Sequence, residues 1–174
     1  MGSAESRLAA MGIELPGVFP AAGTYLGAKR HGDLLHVSGH GPLRVNARGH
    51  LPGRTDRAVT PEAIAAGLVQ GKVGRDVSLE DAREAARLTG LFLLSTVRAE
   101  LGSLDRVGSV LKVFGMVNCA PGFTATPAVI DGCSGLLVDV FGPEVGAHAR
   151  SAIGVAELPF DICVEIEMIV AVRD

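Results

Sequence analysis

Between positions 79 and 101, Ala82, Ala85, Ala86, Leu88, Phe92, Leu93 and Val97 recur at helical spacing. Side chains three and four apart share one face of an α-helix, so this stretch predicts a helix buried along a stripe. Ser78, with Asp81 three positions on, can satisfy exposed backbone donors at its start, and Gly102 supplies a stop. A second helix opens at Thr126-Pro127, with Val129, Cys133, Leu136, Leu137 and Val140 on one side, and runs to Gly142-Pro143; Gly132 and Gly135 weaken it locally. Elsewhere the period is two. Thr24 to Arg30 and LLHVSGH (34–40) predict a hairpin around His31-Gly32-Asp33, and VGSVLKVFGMV (107–117) predicts a further strand.

Towards the end, Arg150 to Leu158 and Ile162 to Val172 alternate around Pro159-Phe160, which predicts a terminal hairpin. Pairing Leu158 with Asp161 puts Ile153, Val155, Val164 and Ile166 on one face and Arg150, Glu165 and Glu167 on the other. In that register Glu165 lies opposite Gly154, about 13 Å along the strand from Arg150. Direct contact is excluded, so a ligand with water, a bulge or a neighbouring subunit has to bridge the gap.

The order strands, helix, strand, helix, strands implies one α+β domain over residues 1–174, a mixed sheet with two helices on one face. An N-terminal arm, 1–14, carries Leu8 and Met11 at helical spacing. Residues 44–75, rich in Gly and Arg with Pro52 and Pro61, form a loop insertion, either a surface excursion or a lid over a cleft. Inside it, Thr60-Pro61-Glu62 starts one short helix over AIAAGLV.

Composition narrows the function classes. With no Trp, one Tyr and six Phe among 174 residues, the core is aliphatic and little aromatic surface is left to stack bases. A formal charge of −3 argues against nucleic acid, which needs clustered Lys and Arg. No apolar run approaches the roughly 20 residues of a membrane span, and no secretory signal opens the chain. Three cysteines without CxxC spacing suggest neither disulfides nor a thiolate zinc site, so the expected location is the reducing cytoplasm.

HARSAIGVAELPFDICVEIEM (148–168) resembles the signature of the Rid/YjgF family, in which an Ala-Arg-Ser segment leads through a Leu-Pro turn to an Ile-Glu-Met strand. The resemblance extends to Gly23-Thr24-Tyr25, LLHVSGHGP, AELGSLDRV and VLKVFGMVN, and leaves out the first dozen residues and the insertion. It implies a chorismate-mutase-like fold whose sheets close into a barrel at the centre of a homotrimer, with clefts between subunits. It implies hydrolysis of enamine or imine intermediates such as 2-aminoacrylate to 2-keto acids and ammonia, with no metal or organic cofactor. By the same resemblance Arg150 holds the substrate carboxylate, while Tyr25, Ser38, Gly39 and Glu165 complete the site. The chain departs from the family pattern at Ala152, where Cys is common, at His40 (Gln), at Asp131 (Asn) and at His148 (Pro or Ala).

A planar guanidinium offers two parallel donors to a carboxylate, which fixes a small acid in place and orientation. An imine carbon so held needs a positioned water and a proton route, for which Ser38 and Glu165 are candidates. His36, Ser38 and His40 alternate and are expected on one side of their strand, which makes His40 a candidate for proton transfer. Zinc between His36 and His40 is disfavoured, because four-residue spacing suits a helix. Asp131 places an acceptor-only carboxylate where an amide is usual, and its charge disfavours an anionic substrate. Two alternatives follow: a pathway-specific hydrolase, tautomerase or cyclase for a larger carbonyl or imine, or a non-catalytic trimer that binds a small carboxylate.

Overall fold

The computed structural model describes residues 2–173, so the first residue of the arm lies outside the described residues. The elements are α1 (Ala4–Ala10), β1 (Ala28–His31), β2 (Leu34–His40), α2 (Pro61–Gly67), α3 (Leu79–Leu101), β3 (Val107–Asn118), α4 (Thr126–Gly146), β4 (Ala149–Val155) and β5 (Val164–Val172). Local chemistry accounts for their ends. Ser78 Oγ accepts from the Asp81 amide at 3.0 Å, and α3 stops where Gly102 takes a left-handed φ of 79°. In α4 the break falls at Gly142, whose φ of 81° only glycine adopts without strain, just before Pro143.

The five strands run β1-β2-β5-β3-β4, with β3 and β4 parallel and the other pairs antiparallel. The expected hairpin between the last two strands is therefore wrong. β4 returns through α4 to lie parallel to β3 at the sheet edge, and β5 inserts between β2 and β3. Burial explains the choice: Val164, Ile166, Met168, Val170 and Val172 are all buried, as a central strand requires, whereas β4 is exposed or half-buried along its length. Alternation reports which face a residue takes, and it is silent about which strand lies alongside.

The helices α3 and α4 cover one face, burying Ala85, Leu93, Val97, Ile130, Leu137 and Val140 with Val113, Val117, Ile166 and Val170 of the sheet. Among the described residues no helix is long and apolar enough to cross a membrane. Cross-strand partners share a face. Arg150 is paired with buried Val113 and so stands on the helix face, while Glu165 is paired with Met116 on the open face. The expectation that Arg150 and Glu165 share a face is corrected by the same change of topology.

Residues 44–75 fold back against the body of the chain. Around α2 a small apolar cluster of Leu43, Leu51, Ala63 and Phe92 packs apart from the main core, with Ile64 and Leu68 against it. The segment then returns alongside β5, where the Cys163 amide donates to Val69 O at 3.0 Å.

Candidate active site

Tyr25, Gly39 and Glu165 line one open groove of about 870 Å³. Between Val37 and His40 the β2–β5 register shifts by one residue, a bulge that seats Gly39 against the Glu165 side chain. A Cβ at position 39 would meet the Glu165 carboxylate, so only glycine leaves that side chain where it stands. Burial raises the Glu165 pKa above the ordinary carboxylate value, and the neighbouring Glu167 adds to the effect. A carboxyl group so placed accepts a proton more readily than an exposed one. Tyr25 is half exposed, its hydroxyl oxygen accepting from the Ala22 amide at 3.1 Å.

Ser38 stands next to this groove. Its hydroxyl donates to Leu26 O at 2.7 Å, and its side lines an adjoining depression on the open face with Lys29, His36, Lys112 and Glu167. His40 departs from expectation. The bulge that admits Gly39 turns His40 onto the helix face, where it is 3% exposed and pairs with Ile166. A carbonyl only accepts, so Nδ1 carries the hydrogen given to Ser38 O at 2.7 Å. Nε2 then accepts from the Thr96 hydroxyl at 2.8 Å. Burial lowers the His40 pKa, and Phe19 packs edge-on between its ring and the groove wall. The imidazole is a neutral core group behind the site, and the role of cleft proton carrier is withdrawn.

Arg150 is remote from the groove within one chain. Two strand spacings and three residues separate it from Glu165, roughly 14 Å between Cα positions on opposite faces. Its side chain is 23% exposed, and Nη1 donates to Asp131 Oδ1 at 2.7 Å and to Ser134 Oγ at 3.0 Å. Ser134 connects in turn to His148 Nε2 at 3.0 Å, and His148 Nδ1 donates to Gly146 O at 2.6 Å. Among the described residues Nε and Nη2 make no hydrogen bond, so the edge suited to bidentate carboxylate binding is open. Ala152 follows on the same face, opposite Gly115, its carbonyl accepting from the Thr126 hydroxyl at 3.1 Å.

Sequence reasoning missed Ser134 and Thr96, the partners of Arg150 and His40. Ser134 had a signal, since three residues after Asp131 it falls on the same side of α4; Thr96 had none. Burial pushes the Cys133 and Cys163 thiols up to about 12, which removes both as nucleophiles. Among the described residues, no group of three or more His, Cys, Asp or Glu side chains could hold a metal ion.

Comparison with protein-family models finds no match. Protein TCP17 of Trypanosoma cruzi is 35% identical over 173 residues, spanning 99% of this chain and 96% of that protein. A crystal structure from Shewanella oneidensis, named as a proposed endoribonuclease, matches with a TM-score of 0.82 and 27% identity over 98% of this chain and 100% of that one. YyfA of Yersinia pestis, a protein of unknown function in the conserved Rid family, shares the fold with a TM-score of 0.57 at 19% identity, over 92% of this chain and 97% of that one. The chain belongs to the Rid/YjgF family. In this Rid protein the Ala-Arg-Ser segment is the start of the edge strand β4, and the Ile-Glu-Met segment is the central strand β5. The family signature thus spans two elements that are not neighbours in the sheet.

Proposed function

We propose that this Rid protein is a cofactor-independent imine/enamine deaminase that hydrolyses small 2-imino acids to 2-keto acids and ammonia in the cytoplasm. It works as a homotrimer in which Arg150 of one subunit faces the Tyr25–Gly39–Glu165 groove of the next. The observation that carries this reading is the open Nε–Nη2 edge of Arg150, held by Asp131 and Ser134 at the free edge of the sheet. One chain cannot bring that edge to Glu165, and a second chain can. Half-buried Phe114, Met116 and Ile169 and exposed Ile153 on the helix-free face supply apolar surface for such an assembly.

The chemistry follows from these groups. An enamine such as 2-aminoacrylate gains a proton at C3 and becomes the protonated imine. With its carboxylate on Arg150, the imine presents C2 to a water beside Glu165. The carboxylate takes a proton from the water as the C–O bond forms, and passes it to the nitrogen of the carbinolamine; as the C–N bond breaks, the hydroxyl gives its proton back to the carboxylate. Ammonia leaves and the keto acid remains. The raised pKa of Glu165 suits a group that alternates between base and acid.

An amino-acid oxidase or a threonine dehydratase generates the substrate in situ, and release of ammonia or keto acid is followed. Wild type accelerates release. Arg150→Ala lowers kcat/KM about 10- to 100-fold, the value of a charge-assisted hydrogen-bond pair. If wild type and variant both match buffer, the deaminase reading is lost. Retained binding of a keto acid without turnover would favour the non-catalytic carboxylate-binding trimer.

A further inference from the structure

On a single chain, before the neighbouring subunit closes over it, the groove at Glu165 is much larger than a three-carbon acid needs. Its volume of about 870 Å³ falls within the roughly 300–1,000 Å³ of pockets that enclose whole organic ligands. Apart from Glu165 and the Tyr25 hydroxyl its lining is apolar, with Phe19, Ile64, Leu68, Pro159, Phe160 and Ile162 as the large side chains. One wall is α2, from the insertion. It is anchored by its own cluster around Phe92 and turns Ile64 and Leu68 towards the groove.

The opposite wall is strained. Phe160 and Asp161 are consecutive non-glycine residues with φ of 58° and 55°, in the left-handed region that side chains disfavour. Phe160 is nonetheless 66% exposed, so its ring repays none of that strain by packing in the core. The turn closes on its own bonds, from the Asp161 amide to Leu158 O at 3.1 Å and from the Ile162 amide to Pro159 O at 3.2 Å, and is held further from outside. Gln70 Nε2 donates to Phe160 O at 2.7 Å, the Gly71 amide to Asp161 O at 2.8 Å, and Asn118 Nδ2 to Asp161 Oδ1 at 3.0 Å. Gln70 and Gly71 belong to the same 44–75 segment, so the stretch that carries α2 also fixes the turn that presents Phe160. Both walls are set by one excursion of the chain.

We propose that this groove is a side-chain pocket selecting 2-imino acids with a bulky apolar substituent, branched aliphatic or aromatic, with Ile64, Leu68 and Phe160 as its specificity-determining residues. The inference rests on the deaminase reading for the chemistry at Glu165 and adds the substrate class. The 2-imino carbon sits at the Gly39–Glu165 end, and the substituent lies between α2 and Phe160.

An amino-acid oxidase supplies imines from alanine, leucine and phenylalanine, and kcat/KM is measured for each. Each added methylene in a hydrophobic pocket is worth about tenfold or more, so leucine- and phenylalanine-derived imines exceed the alanine-derived one by at least about tenfold. Ala65→Phe, which fills the groove from α2, lowers the large-to-small ratio by about tenfold. Leu68→Ala, which widens it, moves preference towards the aromatic imine. The ratio does not depend on the amount of folded protein, and either variant alone suffices. A flat ratio, or one that neither variant moves, overturns the proposal. If wild type hydrolyses none of the three, the deaminase reading fails, and calorimetric binding of phenylpyruvate and pyruvate to wild type judges the pocket separately. Tighter phenylpyruvate binding, weakened by Ala65→Phe, upholds it, and equal affinities overturn it. A change of oligomeric mass in Ala65→Phe means that the added ring displaces the neighbouring subunit, and the ratio in Leu68→Ala then judges the pocket.

Discussion

Asp131 is the residue whose replacement tests the arginine clamp most directly. Its Oδ1 lies 2.7 Å from Arg150 Nη1, so it already neutralises part of the charge that a substrate carboxylate has to use. A ligand on the Nε–Nη2 edge would place its carboxylate roughly 6 Å from that of Asp131, and Coulomb's law with an effective dielectric between 20 and 80 gives about 0.7 to 2.8 kcal/mol of repulsion. Asp131 is 50% exposed, which favours the lower part of that range. Asp131→Asn keeps an oxygen acceptor for Nη1 and removes the charge. We expect about 1 kcal/mol tighter carboxylate binding, about fivefold in KM and in the Kd of a keto acid. The gain should shrink at high salt. The lost ion pair costs at most about 1 kcal/mol of stability, as for other pairs in contact with solvent. Calorimetric titration with pyruvate at low and high salt reads the affinity. Asp131→Ala is the companion, since it removes the charge and the orientation together. Weaker binding in Asp131→Asn than in wild type would refute the electrostatic reasoning and leave Asp131 as a geometric support alone.

Gly39→Ala drives a methyl group into the space of the Glu165 carboxylate, so kcat should fall at least about tenfold, with a stability loss of about 1–3 kcal/mol from overpacking; an unchanged kcat removes Glu165 from the chemistry. Because burial lowers the folded-state pKa of His40, the unfolded chain takes up a proton near its ordinary value of about 6.5 while the native ring stays neutral. The stability His40 contributes is thus complete above about pH 6.5 and is lost as pH falls towards the lowered folded value, by up to about 1.4 kcal/mol per pH unit. Urea unfolding of wild type and His40→Gln across this window checks the slope, which the variant should flatten. Phe160→Gly relieves a left-handed backbone at about 1–2 kcal/mol, so its melting temperature should rise while its preference for bulky imines falls.

What could be read from the chain was local. Ser78, Gly102, Thr60 and Pro61 mark helix ends by the hydrogen bonds they make or omit, and each stands at an observed helix boundary. Pairing between strands was less legible. Arg150 to Val155 alternate as a hairpin partner of β5 would, yet β5 takes both of its neighbours from earlier in the chain, because its fully apolar alternate positions demand the middle of the sheet. That exchange put Arg150 and Glu165 on opposite faces of the sheet. His40 went wrong for a smaller reason, one inserted residue in β2 that reverses inside and outside from Gly39 onwards. Of the left-handed pair, Asp161 is a type that tolerates such a φ but Phe160 is not, and the outside contacts that hold it come from Gln70, Gly71 and Asn118, far away in sequence.

The position of β5 also orders the birth of the molecule on the ribosome. β2 and β3 have no hydrogen bonds to each other, and the strand that joins them is the last of the five to be synthesised. Until Val164 to Val172 have emerged, two sticky edges must wait apart, with only the β1–β2 hairpin and the β3–α4–β4 unit able to form beforehand. Closure is a single late insertion between two preformed halves, and the partly made chain is the stage most exposed to aggregation.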